Sequence, residues 1–374
     1  MDAAAVDRVR GQPLRVCWLG SARYSRPLDP TSAAKWAALA SLGVPMTVIA
    51  FSADLRPRCF TEHAHFCLLP QPPAAILRYG VIFTLAPWLV LWRVLRGADV
   101  LVAQSPYDGA IAGFVKQGAR LLGRRVVVIV ENHGDFEESV FMQRTVRLAG
   151  LYRPLMRALA RYAFHQADLL RAISSMTHEQ LERWQNLQGR TRQPIERFMT
   201  WTDAGAFRST ARSVPLADAC DVVYAGVLIP RKGVHILLDA FARLAPQHPR
   251  SHLWIVGKAE NRDYAARLEQ QALDLDIAER VTFVGGVTQA ELARYMGQAR
   301  VLAVPSISEG LGRVVVEAMM VGTPVVGSRV GGIPDLIEHG VNGLLVPPGD
   351  AGALAGALRR VLEDPDVEAM GRAA

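Results

Sequence analysis

In Ser306-Ile-Ser-Glu-Gly-Leu-Gly-Arg-Val-Val-Val-Glu317, two carboxylates stand eight positions apart. Glu309 lies in a glycine loop and Glu317 on the helix that the loop opens. Gly310, Leu311 and Gly312 can bring backbone N–H groups and a helix N-terminus up to an anion. The two carboxylates can accept hydrogen bonds from neutral hydroxyls on either side of it. This pattern suits a ligand with a charged centre and hydroxyl-bearing ends, such as a nucleotide diphosphate sugar.

A second stretch, Tyr224-Ala-Gly-Val-Leu-Ile-Pro-Arg-Lys-Gly233, follows an apolar strand and leads into a helix. A dinucleotide-binding domain would carry G-x-G-x-x-G here, and the pattern is absent. Arg231 and Lys232 stand there instead. Two cations with helix N–H groups can hold a diphosphate and neutralise it as it leaves. A third stretch, Glu131-Asn-His-Gly-Asp-Phe136, follows the strand Val126–Val130. His133 could hydrogen-bond a sugar hydroxyl or steady charge at a reacting carbon, with Asp135 beside it on the acceptor side. Gly20-Ser-Ala-Arg-Tyr-Ser-Arg-Pro27 reads as the loop after the first strand, where Arg23 and Arg26 suit an anionic acceptor. Gly331 and Gly332 permit close backbone approach to a ligand. The Glu338–Gly343 turn reads as structural.

Other chemistries find little support. The chain has no metal-ligand cluster, no G-x-S-x-G elbow and no Walker A loop. Asp274-Leu-Asp276 ends an amphipathic helix and reads as a solvated face. Nothing suggests nucleic-acid readout by interleaved basic and aromatic residues.

Strands and helices alternate along the chain, which argues for parallel sheets with helices on both faces. The first series has strands at Leu14–Gly20, Met46–Phe51, Val100–Ala103, Val126–Val130, Asp168–Ile173 and Ile195–Met199. The second has strands at Asp221–Ala225, Leu253–Val256, Val281–Val284, Val301–Val304, Pro324–Gly327 and Gly343–Val346, with helices between. The expected organisation is a tail over 1–12, an α/β domain over 13–200, a linker over 201–219 and a second α/β domain over 220–374. Two such domains would face each other across a cleft, with the carboxyl ends of their strands pointing into it.

The totals fit this plan. At 374 residues the chain is long for one core and suited to two. Cys17, Cys59, Cys67 and Cys220 are scattered and read as small core residues in a reducing compartment. The N-terminus has early acids and no apolar run, unlike a signal peptide. Residues 1–205 hold 25 Lys/Arg against 16 Asp/Glu, and residues 206–374 hold 17 against 19. The basic half meets an acidic partner or surface, or it reflects an arginine-rich composition. The longest apolar run, Tyr79–Trp92, is interrupted by Pro87 and flanked by Arg78, Arg93 and Arg96. It is shorter than a spanning helix needs. It reads either as a helix buried against the first sheet or as one lying in a membrane interface, and at a domain edge the two are compatible.

The segments GVLIPRKGVHILLDAF, FVGGVTQAELARYMGQARVLAVPSISEGLGRVVVEAMMVGTPVVGSRVGGIPDLI and HGVNGLLVPPGD resemble the C-terminal half of retaining glycosyltransferases of family four. The likeness is specific over about 221–363 and weaker in DVLVAQSPYDG, ENHGDFE and ADLLRAIS. It implies a GT-B fold, α/β with a Rossmann-like acceptor domain over 13–200 and a Rossmann-like nucleotide-sugar-binding domain over 220–374, and the EC 2.4 activity of a hexosyltransferase. The donor would be a UDP- or GDP-sugar and the acceptor lipid-linked or polysaccharide. No metal or cofactor would be needed. It assigns phosphate contacts to Arg231 and Lys232, ribose recognition to Glu317, and donor-sugar contact to Glu309 with backbone from Gly310 to Gly312. His133 would stand near the transferred sugar, and retention would come from front-side displacement assisted by the leaving phosphate. The enzyme would work in the cytoplasm, with peripheral contact at the inner membrane face.

Three features depart from the family pattern. Gly226-Val227 replaces the common Gly-Arg, the double-glycine loop after the first strand is missing, and the chain ends at Ala374 where members continue with a crossing helix. The alternatives are a nucleotide-sugar epimerase or hydrolase of the same fold, or a non-catalytic sugar-nucleotide-binding subunit.

Overall fold

The computed structural model describes residues 13–72, 75–134, 149–188, 193–210 and 212–374. The chain divides into two compact units, one running to Asp203 and the other from Ala204 to Ala374, with Ser174–Met176 counted in the second.

The first unit is built on an eight-stranded sheet of order β3-β4-β2-β1-β5-β6-β7-β8. Its strands are β1 (Val16–Tyr24), β2 (Met46–Ser52), β3 (Arg58–Glu62), β4 (Ala64–Leu69), β5 (Val100–Ala103), β6 (Val127–Asn132), β7 (Leu169–Ala172) and β8 (Ile195–Arg197). All neighbours pair in parallel except β3 with β4. The described helices are α1 (Pro30–Ala40), α2 (Ala75–Leu95), α3 (Pro106–Leu121), α4 (Ala149–Gln166) and α5 (Ser175–Gln188). Asp29 caps α1 by accepting from Ser32 N at 3.0 Å, which satisfies one of the free N–H groups at a helix start. Trp36 of α1 packs with Phe60 and Phe66 on one face of the sheet. Helices α2, α3 and α4 share the opposite face, where Val90, Val115 and Phe164 join one core cluster.

Two readings of this unit change. Strand β1 continues to Tyr24 through a register shift between Leu19 and Arg23, so Arg23 lies on a strand and not in a loop. Pairing with β2, at Arg23 with Phe51, carries the chain through the expected turn. The hairpin β3–β4 was not expected at all. It turns at His63, whose positive φ of 60° carries no glycine to announce it.

The second unit carries a six-stranded parallel sheet of order β11-β10-β9-β12-β13-β14. Its strands are β9 (Val222–Ala225), β10 (Leu253–Val256), β11 (Val281–Gly285), β12 (Val301–Val304), β13 (Val325–Ser328) and β14 (Gly343–Val346). Its helices are α6 (Gly205–Ser209), α7 (Val234–Leu244), α8 (Arg262–Asp274), α9 (Gln289–Gln298), α10 (Arg313–Met320), α11 (Ile333–Leu336), α12 (Ala351–Glu363) and α13 (Val367–Ala373). Strands β9, β12 and β14 are apolar and buried along their whole length, as strands covered on both faces must be. Phe207 and Leu216, within the stretch read as linker, are fully buried in this unit's core. Strand order reverses between β9 and β12. In open parallel sheets, ligands bind outside the carboxyl ends of the strands at such a point.

Candidate functional site

The loops that leave β9 and β12 meet at that reversal. After β9 the chain makes a 3₁₀ turn over Pro230–Lys232 and ends on Gly233, at φ 71°. A Cβ at Gly233 would lie 2.0 Å from the Pro305 carbonyl, so only glycine lets this loop rest on the end of β12. The two loops are then tied by backbone. Ile307 N donates to Arg231 O at 2.8 Å. The Arg231 side chain adds a bond from Nη1 to Ser308 O at 3.3 Å. Its Nε is buried without a partner among the described residues.

Lys232 closes the arrangement. Its Nζ forms an ion pair with Glu309 Oε2, with both side chains largely withdrawn from solvent. Glu309 Oε2 also accepts from Ser306 Oγ at 3.3 Å, and its Oε1 from Gly310 N at 3.2 Å. The cation read as a phosphate ligand and the carboxylate read as a sugar ligand therefore hold each other. Gly310 and Gly312 border this pair, Gly312 caps α10, and the Leu311 side chain is buried between them.

Glu317 lies one turn into α10 and is buried. Burial pushes its carboxyl above the ordinary range, against a smaller opposing pull from Arg313. Its carboxylate makes no hydrogen bond to another described residue.

The glycine pair read as approaching a ligand instead approaches protein. Gly331, at φ 58°, would place a Cβ 2.0 Å from Glu309 O, and Gly332 N donates to Gly310 O at 2.8 Å. Gly331 and Gly332 thus set the position of the Glu309 loop from behind.

In the first unit, His133 follows β6 and its Nε2 lies 2.7 Å from Glu131 Oε2. Glu131 is buried and its other oxygen pairs with Arg171, which stands opposite it on β7. Arg171 also donates to Met199 O at 3.1 Å and stacks on the Phe198 ring. Burial pushes the Glu131 carboxyl up, but the hydrogen bond and charge of His133, with Arg171, hold it below the ordinary range. Sequence reasoning missed Glu131 and Arg171 as a unit. The signal was there: a charged residue in each of two largely apolar strands calls for a partner.

Arg23 and Arg26 are exposed, and neither joins the His133 network among the described residues. Arg26 stacks over Phe60 at 5.7 Å. Asp135 lies outside the described residues.

Comparison with known proteins agrees with both halves. Residues 37–193 match the family described as Glycosyltransferase Family 4, and residues 212–374 match Glycosyl transferases group 1. The chain belongs to the group 1 glycosyltransferases. It is 36% identical over 216 residues to a D-inositol 3-phosphate glycosyltransferase of Nocardioides sp., covering 53% of this chain and 46% of that protein. It is 37% identical over 148 residues to the lipopolysaccharide core biosynthesis glycosyltransferase LpsE of Rhizobium meliloti, covering 40% and 41%. The chain thus spans less than half the length of these curated relatives. Among solved structures, Anabaena HepE in complex with UDP superposes with a TM-score of 0.71 at 22% identity, covering 96% of this chain and 93% of that one. Two parallel-sheet α/β units and this likeness give the fold as GT-B.

Proposed function

We propose that this group 1 glycosyltransferase moves a sugar from a UDP- or GDP-sugar to a lipid-linked or polysaccharide acceptor, retaining anomeric configuration and using no metal. The acceptor would be met by peripheral contact at the cytoplasmic membrane face. The observation that carries the reading is the meeting of Lys232 with Glu309 at the strand-order reversal, in the loop that opens the helix bearing the largely buried Glu317. That HepE was solved with UDP supports a nucleotide donor. The LpsE likeness supports a lipid-borne glycan acceptor.

The chemistry follows from the ion pair. An incoming diphosphate competes with Glu309 for the Lys232 ammonium. Once displaced, Glu309 accepts from the donor sugar's hydroxyls while Lys232 stabilises charge on the leaving phosphate. Arg231 keeps the two loops in register and adds positive charge beside the phosphates. The N–H groups of Gly310 to Gly312 lie at the α10 N-terminus, which favours an anion. Glu317 takes the ribose hydroxyls, which would donate to its largely buried carboxylate. His133, oriented by Glu131, contacts the transferred sugar. Arg23, Arg26 and Asp135 remain the acceptor-side assignments.

A thermal-shift screen against UDP-, GDP- and ADP-sugars tests the donor. A ligand at 100 times its dissociation constant stabilises by about 2.7 kcal/mol. No shift with any nucleotide sugar would overturn the reading. Donor turnover to an epimerised sugar, or to free sugar without acceptor, would replace transfer with epimerisation or hydrolysis.

A further inference from the structure

Helix α2 is apolar on both sides. Its inner stripe, Ile82, Ala86, Val90 and Val94, packs into the core of the first unit. Its outer stripe, Leu77, Leu85, Trp88, Trp92 and Leu95, is left in solvent, with Trp88 at 73% exposure. The reading of this run as a helix buried against the first sheet therefore holds for its inner face, and its outer face is exposed. Thr84, on the outer side, turns its hydroxyl inward and donates to Gly80 O at 2.7 Å. No helix among the described residues is long and apolar enough to cross a membrane.

The neighbouring helices continue the pattern. On α3, Phe114 and Leu121 are exposed, Leu121 at 88%. Arg124 Nη2 donates to Val94 O at 3.3 Å and ties the far ends of α2 and α3 together. The α4 arginines Arg153, Arg157 and Arg161 recur at helical spacing on an exposed stripe. Across α2, α3 and α4 the single carboxylate is Asp108, which is buried. Arg93 and Arg96 lie over the Trp92 ring at 4.5 and 4.0 Å.

We propose that the outer face of α2, extended by α3 and α4, docks on an anionic phospholipid bilayer, with Trp88 and Trp92 at the level of the headgroups. Indole rings partition to that level because one edge is apolar and the other carries a donor. Arginine guanidinium groups beside them meet lipid phosphates. A second copy of the chain fits poorly: a two-fold contact would set this cationic face against itself. The inference deepens the reading of a membrane-borne acceptor, and it rests on that reading only for the purpose of the surface.

The test is sedimentation of the full chain with vesicles of equal parts phosphatidylglycerol and phosphatidylcholine, and with phosphatidylcholine alone, without nucleotide or acceptor. Binding is expected to the anionic vesicles alone and to weaken as salt rises. The double variant Trp88→Ser/Trp92→Ser, altered only at exposed positions, should bind about tenfold more weakly with an unchanged melting temperature. A control, Leu42→Ser/Leu273→Ser, removes exposed leucines outside this layer and should bind as the parent does. Absence of binding, equal binding to neutral vesicles, or unchanged binding by the tryptophan variant would overturn the proposal. So would a dimer in solution that the tryptophan variant dissolves. Each of those results leaves the donor site untouched, because nucleotide binding is read separately.

Discussion

Glu131 and Arg171 stand directly opposite each other on adjacent parallel strands, and their side chains form an ion pair in the interior of the first unit. The pair fixes His133, because the second Glu131 oxygen holds its Nε2 and leaves Nδ1 as the nitrogen free to meet a ligand. Removing one member of a buried pair typically costs about 3–5 kcal/mol. Arg171→Met should therefore lower stability to urea by about 3 kcal/mol, and Glu131→Leu in the same chain should recover much of the loss. Because the Glu131 carboxyl is held below its ordinary range in the folded state, its contribution is present above the ordinary glutamate pKa. It should fade as pH falls below it. A double variant no more stable than Arg171→Met would refute the pairing energy.

Lys232→Ala should lower kcat by about 10²–10³, the usual cost of removing one donor to a developing oxyanion. The variant also frees Glu309, so nucleotide affinity should fall less than turnover does. Steady-state kinetics with the best donor from the thermal screen checks this. Unchanged turnover would remove the leaving-group role.

Glu317→Gln should act in two directions. Loss of the acceptor charge should weaken nucleotide binding by about tenfold, the scale of one charge-assisted hydrogen bond. Since burial raises this carboxyl, its ionised form destabilises the fold above the folded-state pKa, and the penalty is relieved as pH falls. The glutamine variant should then melt higher than the parent at alkaline pH. Calorimetric titration and thermal melts separate the two effects, and undiminished nucleotide affinity would exclude the ribose assignment.

Asp108 predicts a pH effect on the first unit. It is buried at the start of α3, and burial raises its carboxyl to about 7, against a smaller lowering by the Ser105 hydroxyl. The folded state holds this proton and the unfolded chain does not between about pH 4 and 7, so the contribution to stability falls as pH rises through that window. Asp108→Asn, which can still accept from Ser105, should stabilise by up to about 4 kcal/mol at pH 8 and by little at pH 4. Equal effects at both values would show that the side chain is not protonated.

Gly331→Ala tests the support behind Glu309. The new methyl would collide with the Glu309 carbonyl in a left-handed backbone conformation, so the loop must shift. Turnover should drop at least tenfold, by the logic that misplacing a reacting group by about 1 Å can cost 10²-fold. An active variant with parental kcat would show that this loop tolerates displacement.

The sequence alone determined the alternation of strands and helices and most of the second unit. Runs such as VVYA, LWIV and VLAV are short and wholly apolar, and Asn261, Thr288 and Asp350 stand as side-chain caps at the starts of α8, α9 and α12. These are local signals, so they can be read locally. The glycine loop with Glu309 and the Arg231-Lys232 turn were legible for the same reason.

Tertiary structure alone decided which of these pieces meet. Strand β12 lies beside β9, so Lys232 reaches Glu309 across 77 positions of sequence. Strand β7 lies beside β6, so Arg171 reaches Glu131 across 40 positions. The glycines at 331 and 332 turned out to serve a neighbouring loop, and α2 to be covered on one side only. Strand order is set by crossovers between distant segments, and neither residue type nor periodicity encodes which strand becomes the neighbour. A helix apolar all round likewise carries no mark of the face its own protein will cover.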